Sequence, residues 1–86
     1  MDMRWTKVGR VVNDEGTTTI YCAPGTPMAV ESRKRHIPHA NGIGTWDHTS
    51  FWVLYYGKDL RERQSLQSAK EFAEEFWMEK VRNDRP

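Results

Sequence analysis

The sequence predicts an α+β fold, an antiparallel β-meander of three to five strands with one C-terminal α-helix packed on one sheet face. Three observations predict it. Short β-branched and aromatic runs recur up to residue 64, separated by Gly, Pro, Asn and Asp. From Ser65 the apolar spacing becomes helical. The chain has 86 residues, which suits a single domain of two packed layers.

Residues 4–12 are the first expected strand. In WTKVGRVV, strict alternation places Thr6, Val8, Arg10 and Val12 on one side and Trp5, Lys7, Gly9 and Val11 on the other. Asn13-Asp14-Glu15-Gly16 has turn chemistry, so residues 17–23 (TTTIYCA) return as the second strand of a hairpin. Pro24-Gly25-Thr26-Pro27 breaks the chain. Residues 28–36 form a third strand, apolar at Met28 and Val30 and polar from Ser32 to Arg35, whose far end leaves the core. Residues 48–56 contain FWVLYY, apolar on both faces. Such a strand is central, or its second face meets a partner. Gly57-Lys58-Asp59 reads as a turn, and residues 60–64 as a short edge strand protected by charge. Ser65 is the expected N-cap of a helix over residues 65–81. Leu66, Ala69, Phe72, Ala73, Phe76 and Trp77 share one stripe of that helix, and residues 83–86 are a tail. Packing the stripe on one sheet face leaves the other bare. Trp5, Tyr21 and Trp52 or Phe51 are the aromatics expected there, and a bare aromatic face marks an interface.

Composition narrows the function classes. Charged residues make up 29% and apolar residues 37% of the chain, which points to a folded domain and not to a disordered one. Cys22 is the only cysteine, which excludes an intramolecular disulfide or a cysteine zinc motif and fits a reducing compartment. MDMRWTKVGR has no apolar core of a signal peptide. The longest apolar run, Phe51 to Tyr56, is far short of the roughly 20 residues that span a bilayer. A cytoplasmic location away from membranes is therefore expected. No cofactor is implied.

The candidate site is RKRHIPHANGIGTWDHTSFW, residues 33–52, which holds every histidine, a basic triplet and two of the tryptophans. Arg33 to His36 is expected to end one strand and His48 to Trp52 to begin the next. Residues 37–47 would then be a loop, with Asn41-Gly42 as turn chemistry, longer than the two to five residues usual in a hairpin. Long loops carry function. The partner-binding candidates are Arg33, Lys34, Arg35, His36, His39, Trp46, His48 and Trp52. The basic residues would attract the partner and Trp46 would anchor it, because Trp and Arg are enriched in hot spots. A small non-enzymatic binding or regulatory module with a protein partner follows, of the general make-up of phage and mobile-element accessory proteins.

Three alternatives use the same chemistry differently. Nucleic acid would find phosphate partners in Arg33 to Arg35 and stacking surfaces in Trp46, Trp52 or Tyr21, against a whole-chain pI near 7.9. His36, His39 and His48 with Asp47 offer a ligand set for zinc or nickel, although Pro38 argues against helical pairing of the first two. The bare face or a strand edge would support a C2 homodimer. Cys22 beside a histidine would be a thiolate nucleophile, but YCA is more simply a small apolar strand residue. There is no GxSxG and no P-loop, and NGIGT lacks the strand and helix that would make it a phosphate cradle. In the helix, Glu71, Glu74, Glu75 and Glu79 form an acidic surface, most simply solvated and held by i, i+4 pairs. The order of strands followed by SLQSAKEFAEE resembles the second half of a double-stranded-RNA-binding domain. The first helix and the basic cluster at the second helix's start are both missing, so that resemblance assigns nothing.

Overall fold

In a computed structural model, which describes residues 3–40 and 42–83, five antiparallel strands precede one helix. The strands are β1 (Thr6–Asn13), β2 (Gly16–Cys22), β3 (Met28–Pro38), β4 (Thr45–Tyr55) and β5 (Lys58–Arg63), and the helix is α1 (Leu66–Asn83). Their order across the sheet is the order in the chain, as short turns between successive strands dictate. The α+β meander with a C-terminal helix is the fold the sequence predicts.

Local chemistry sets each junction. Asn13 Oδ1 accepts the backbone N–H groups of Glu15 and Gly16 at 2.9 and 3.1 Å, an Asx turn that leads β1 into β2. Gly16 (φ 147°) lies against β3, and a Cβ there would sit 1.9 Å from the Lys34 carbonyl oxygen. Tyr56 (φ 52°) and Gly57 (φ 78°) are both left-handed, the backbone of a two-residue type I′ hairpin. The turn is therefore Tyr56-Gly57, one residue earlier than expected, and Lys58 already belongs to β5. Ser65 caps α1, its Oγ accepting the Ser68 N–H at 3.0 Å.

Arg63 pairs with Phe51, the chain reverses at Gln64-Ser65, and α1 runs back over the Val53–Tyr55 end of the sheet. Met28, Val30, Val53, Ala69 and Ala73 form the buried centre. The two alanines, one helical turn apart, let the helix backbone approach the strands. Trp5, Phe51, Tyr55, Phe72, Phe76 and Trp77 pack around this centre, so the expected helical stripe is the one that faces the sheet. The helix continues through Asn83, which the sequence reading placed in the tail. The rest of that tail lies outside the described residues.

Three expectations are corrected. The first is the loop. β3 and β4 stay paired from Met28–Tyr55 to Pro38–Thr45, so the connection is residues 39–44, with Gly42 N–H donating to the His39 carbonyl at 2.9 Å. Asn41 lies outside the described residues. Ile37, Trp46 and Asp47 are strand residues, because alternating side chains and an unbroken backbone ladder favour extending the ribbon over opening it. The second is the phase of β1. Lys7 pairs with Tyr21 but Gly9 pairs with Ile20, so Val8 is an extra residue, a β-bulge. Beyond the bulge, Arg10 and Val12 share the side of Lys7. The third is the bare face. Trp5 and Phe51 pack beneath the helix, and Tyr21 lies 5.0 Å from Lys70 Nζ of α1. Of the aromatics named for the bare face, Trp52 alone is there. Glu74 also departs from the solvated acidic surface, since Trp5 Nε1–H donates to its Oε2 at 2.9 Å.

Candidate functional site

The pleat divides the candidate residues between two faces. β3 and β4 pair His36 with Asp47, Arg35 with His48 and Ile37 with Trp46, and side chains opposite one another in such a pair share a face. Arg33, Arg35, Ile37, Trp46, His48 and Trp52 therefore lie on the outer face, away from α1. Lys34, His36 and Asp47 lie on the helix side. The basic triplet is split, and so is the set of histidines.

On the outer face, Arg33 is committed to internal contacts. Its guanidinium lies 5.0 Å from the centroid of the Trp52 ring. It donates in a fork to Asp59 at 2.6 and 3.2 Å, and Nε–H donates to Glu31 at 2.9 Å. The Arg33 hydrogen bond holds the Asp59 carboxyl below its ordinary range. The Asp59 hydrogen bond raises the already high Arg33 value further, with Glu31 contributing. Trp52 Nε1–H donates to Ser50 Oγ at 3.1 Å. The result is a fixed cation on an aromatic plate.

Toward the tip of the same face, Arg35 leans across β2, donating to Thr18 Oγ1 at 3.1 Å and to the Lys34 carbonyl at 3.2 Å. Trp46 and His48 meet edge to face with ring centroids 5.9 Å apart. Trp46 is 45% exposed, and Ile37 across from it is half-buried. An aromatic, an aliphatic, a guanidinium and an imidazole thus share one open surface.

On the helix side, His36 Nδ1–H donates to Asp47 Oδ1 at 2.6 Å, and Lys34 Nζ sits 3.3 Å from Asp47 Oδ2. These two contacts, His36 first, hold the Asp47 carboxyl below its ordinary range. His48 projects from the opposite face, and His39 follows the end of β3. Among the described residues, no three of His, Cys, Asp and Glu gather as a metal set, so the four proposed ligands are not brought together. Cys22 pairs with Thr6 and Ala29, roughly 20 Å along the sheet from His36 at about 3.3 Å per residue, and no thiol–imidazole pair is assembled. Among the described residues, no helix is long and apolar enough to cross a membrane.

Sequence reasoning missed Glu31 and Asp59 as partners of Arg33. It also missed a polar group on the helix side, where Lys7, Arg10 and Lys34 stand among Thr17, Thr19, Ser32 and Thr49 around a basin of about 290 Å³. The alternate threonines of TTT were a visible signal. The bulge that brings Lys7 and Arg10 to one side was not. Comparison with protein-family models, curated proteins and solved structures returns no match.

Proposed function

We propose that this protein is a non-enzymatic binding module that holds a protein partner on the outer face of the β3–β4 ribbon. The observation that carries the reading is the grouping of Ile37, Trp46, Arg35 and His48 on one exposed face at the ribbon's end. Trp46 is the anchor, with a large apolar surface and few rotatable bonds. Arg35 and His48 beside it favour a partner segment that pairs an apolar side chain with a carboxylate. Arg33, bound to Trp52, Glu31 and Asp59, is the stiff plate behind this site and adds little free charge.

Trp46 and Arg35 side by side also favour a second reading, in which a nucleic-acid base stacks on the indole. One experiment separates the two. Partners cross-linked to wild-type protein are compared with those of Trp46→Ala and Arg35→Ala. Both residues are outside the core, so both variants are expected to fold. Loss of the same polypeptide from both variants, with capture insensitive to moderate salt, supports the protein-partner reading. Salt-sensitive quenching of Trp46 by oligonucleotides would replace it with the second. Retention of every partner by both variants would sink the site.

A further inference from the structure

The helix side of the sheet beyond the core has a different chemistry from the outer face. From the Thr19–Ser32 row onward, this side gathers Arg10, Thr19, Ser32, Thr17, Lys34 and Thr49, flanked by Val12 and Phe51, where the helix end of the sheet presents Val30 and Val53. The register places Arg10 beside Thr19 and Ser32, and Thr17 beside Lys34 and Thr49, in adjoining rows. Lys7 enters from the row of Tyr21. These side chains line one basin.

We infer that this basin is an oxyanion site that takes a phosphoryl group, through Lys7, Arg10 and Lys34 with the hydroxyls of Thr17, Thr19, Ser32 and Thr49. Several features of the basin argue for such a ligand. Its lining contains three cations and no carboxylate. Asp47, a carboxylate outside the lining, engages Lys34 at 3.3 Å. Lys7 and Arg10 make no ion pair among the described residues, so two of the three charges are uncompensated. The four hydroxyls make no side-chain hydrogen bond among the described residues, whereas Thr18 Oγ1 on the outer face is taken by Arg35. Hydroxyls next to cations are donors that fit the several lone pairs of a phosphate, and a guanidinium offers it a planar fork.

The bulge at Val8 makes the arrangement. Lys7 and Arg10 are three apart, and regular alternation would send them to opposite faces. One extra residue between them puts both over the basin, and re-aiming side chains is what bulges do beside functional sites. The basin faces away from the Trp46 surface, so occupancy of one site does not block the other. It is open enough to admit either a free phosphate ester or the phosphodiester of a single strand.

Calorimetric titration of the whole chain with inorganic pyrophosphate and with a short oligothymidylate, at low and moderate salt, tests the assignment. Lys7→Gln and Arg10→Gln are both at exposed positions and leave the core untouched. Lys58→Gln, on β5, is the control. Binding of either probe is expected to weaken roughly tenfold in each basin variant, as for the loss of one charged hydrogen-bonding group, and to be unchanged in Lys58→Gln. Pyrophosphate binding identifies a small phosphate ligand. Oligothymidylate binding alone, with a salt slope that drops by about one per cation removed, identifies a strand. No binding of either probe at low salt would overturn the inference. So would equal affinity in wild type, Lys7→Gln and Arg10→Gln. Trp46→Ala leaves the basin intact, so failure here and failure of the outer-face reading are distinguishable.

Discussion

Gly16 shows how much can rest on one missing side chain. Its backbone is left-handed, and the Lys34 carbonyl occupies the place of a Cβ. Gly16→Ala is expected to cost more than about 2 kcal/mol, through a clash with backbone that cannot move without breaking the β2–β3 ladder. Urea midpoints of wild type and variant measure it. Asp59 gives a prediction that depends on pH. Its carboxyl is held below the ordinary range by Arg33, so the bridge stabilises the fold above the unfolded-state value and is lost as pH falls through the folded one. Asp59 is half-exposed, which limits the effect at neutral pH to at most about 1 kcal/mol. Asp59→Asn should therefore be less stable than wild type at pH 7, and the gap should close as pH drops below about 4. A gap that persists at pH 2 would mean the loss comes from packing. At this scale the sequence was informative about residue type and poor about partner. Arg33 read as a free cation because Asp59 approaches it only through the β4–β5 hairpin.

Among the elements, α1 was the most legible, because a stripe of apolar residues at helical spacing after a capping serine has few other readings. Its energetics differ from what ring size suggests. The fully buried positions are Ala69 and Ala73, while Phe72 and Phe76 are half-covered. Phe76→Ala should then cost about 2 kcal/mol, less than the roughly 3–5 of a fully buried ring. Ala73→Leu should cost about 1–3 kcal/mol by forcing the helix off the strands. Thermal unfolding of the two variants tests the order, and a harmless Ala73→Leu would mean the helix sits further from the sheet. The strands were harder to read in detail. Five of them were legible from turn residues, but each bulge shifts the two-residue period without leaving a mark in composition. The ribbon formed by β3 and β4 was also foreshortened. HIPHANGIGTWD is rich in polar and turn residues, and nothing local in it says that the ladder continues to Pro38 and Thr45.

At the scale of the molecule, the chain is long and narrow, 58 × 21 × 19 Å, because the sheet outruns its helix. α1 covers the Met28–Tyr55 end, and past the Ser32–Phe51 pair neither β3 nor β4 contains a fully buried apolar residue. The proposed outer-face site lies on that uncovered length, and the basin straddles its beginning on the reverse side. The two faces were not separable in the sequence, where Arg33, Lys34 and Arg35 stand in a row and look like one patch. Pairing register decides which of them meet, and register is a property of the whole sheet.

The helix's short reach has a further consequence. The covered end opens only when the core opens, whereas the uncovered end is held chiefly by backbone hydrogen bonds near solvent. The two ends are thus expected to open as separate cooperative units, the outer one fraying while the inner one stays folded. Any ligand that bridges strands on the outer unit stiffens it and is favoured by a partner already bound on the reverse side, since the cost of ordering the ribbon is met only once. Two such sites, back to back on one thin sheet, would in this way be energetically coupled without sharing a single side chain.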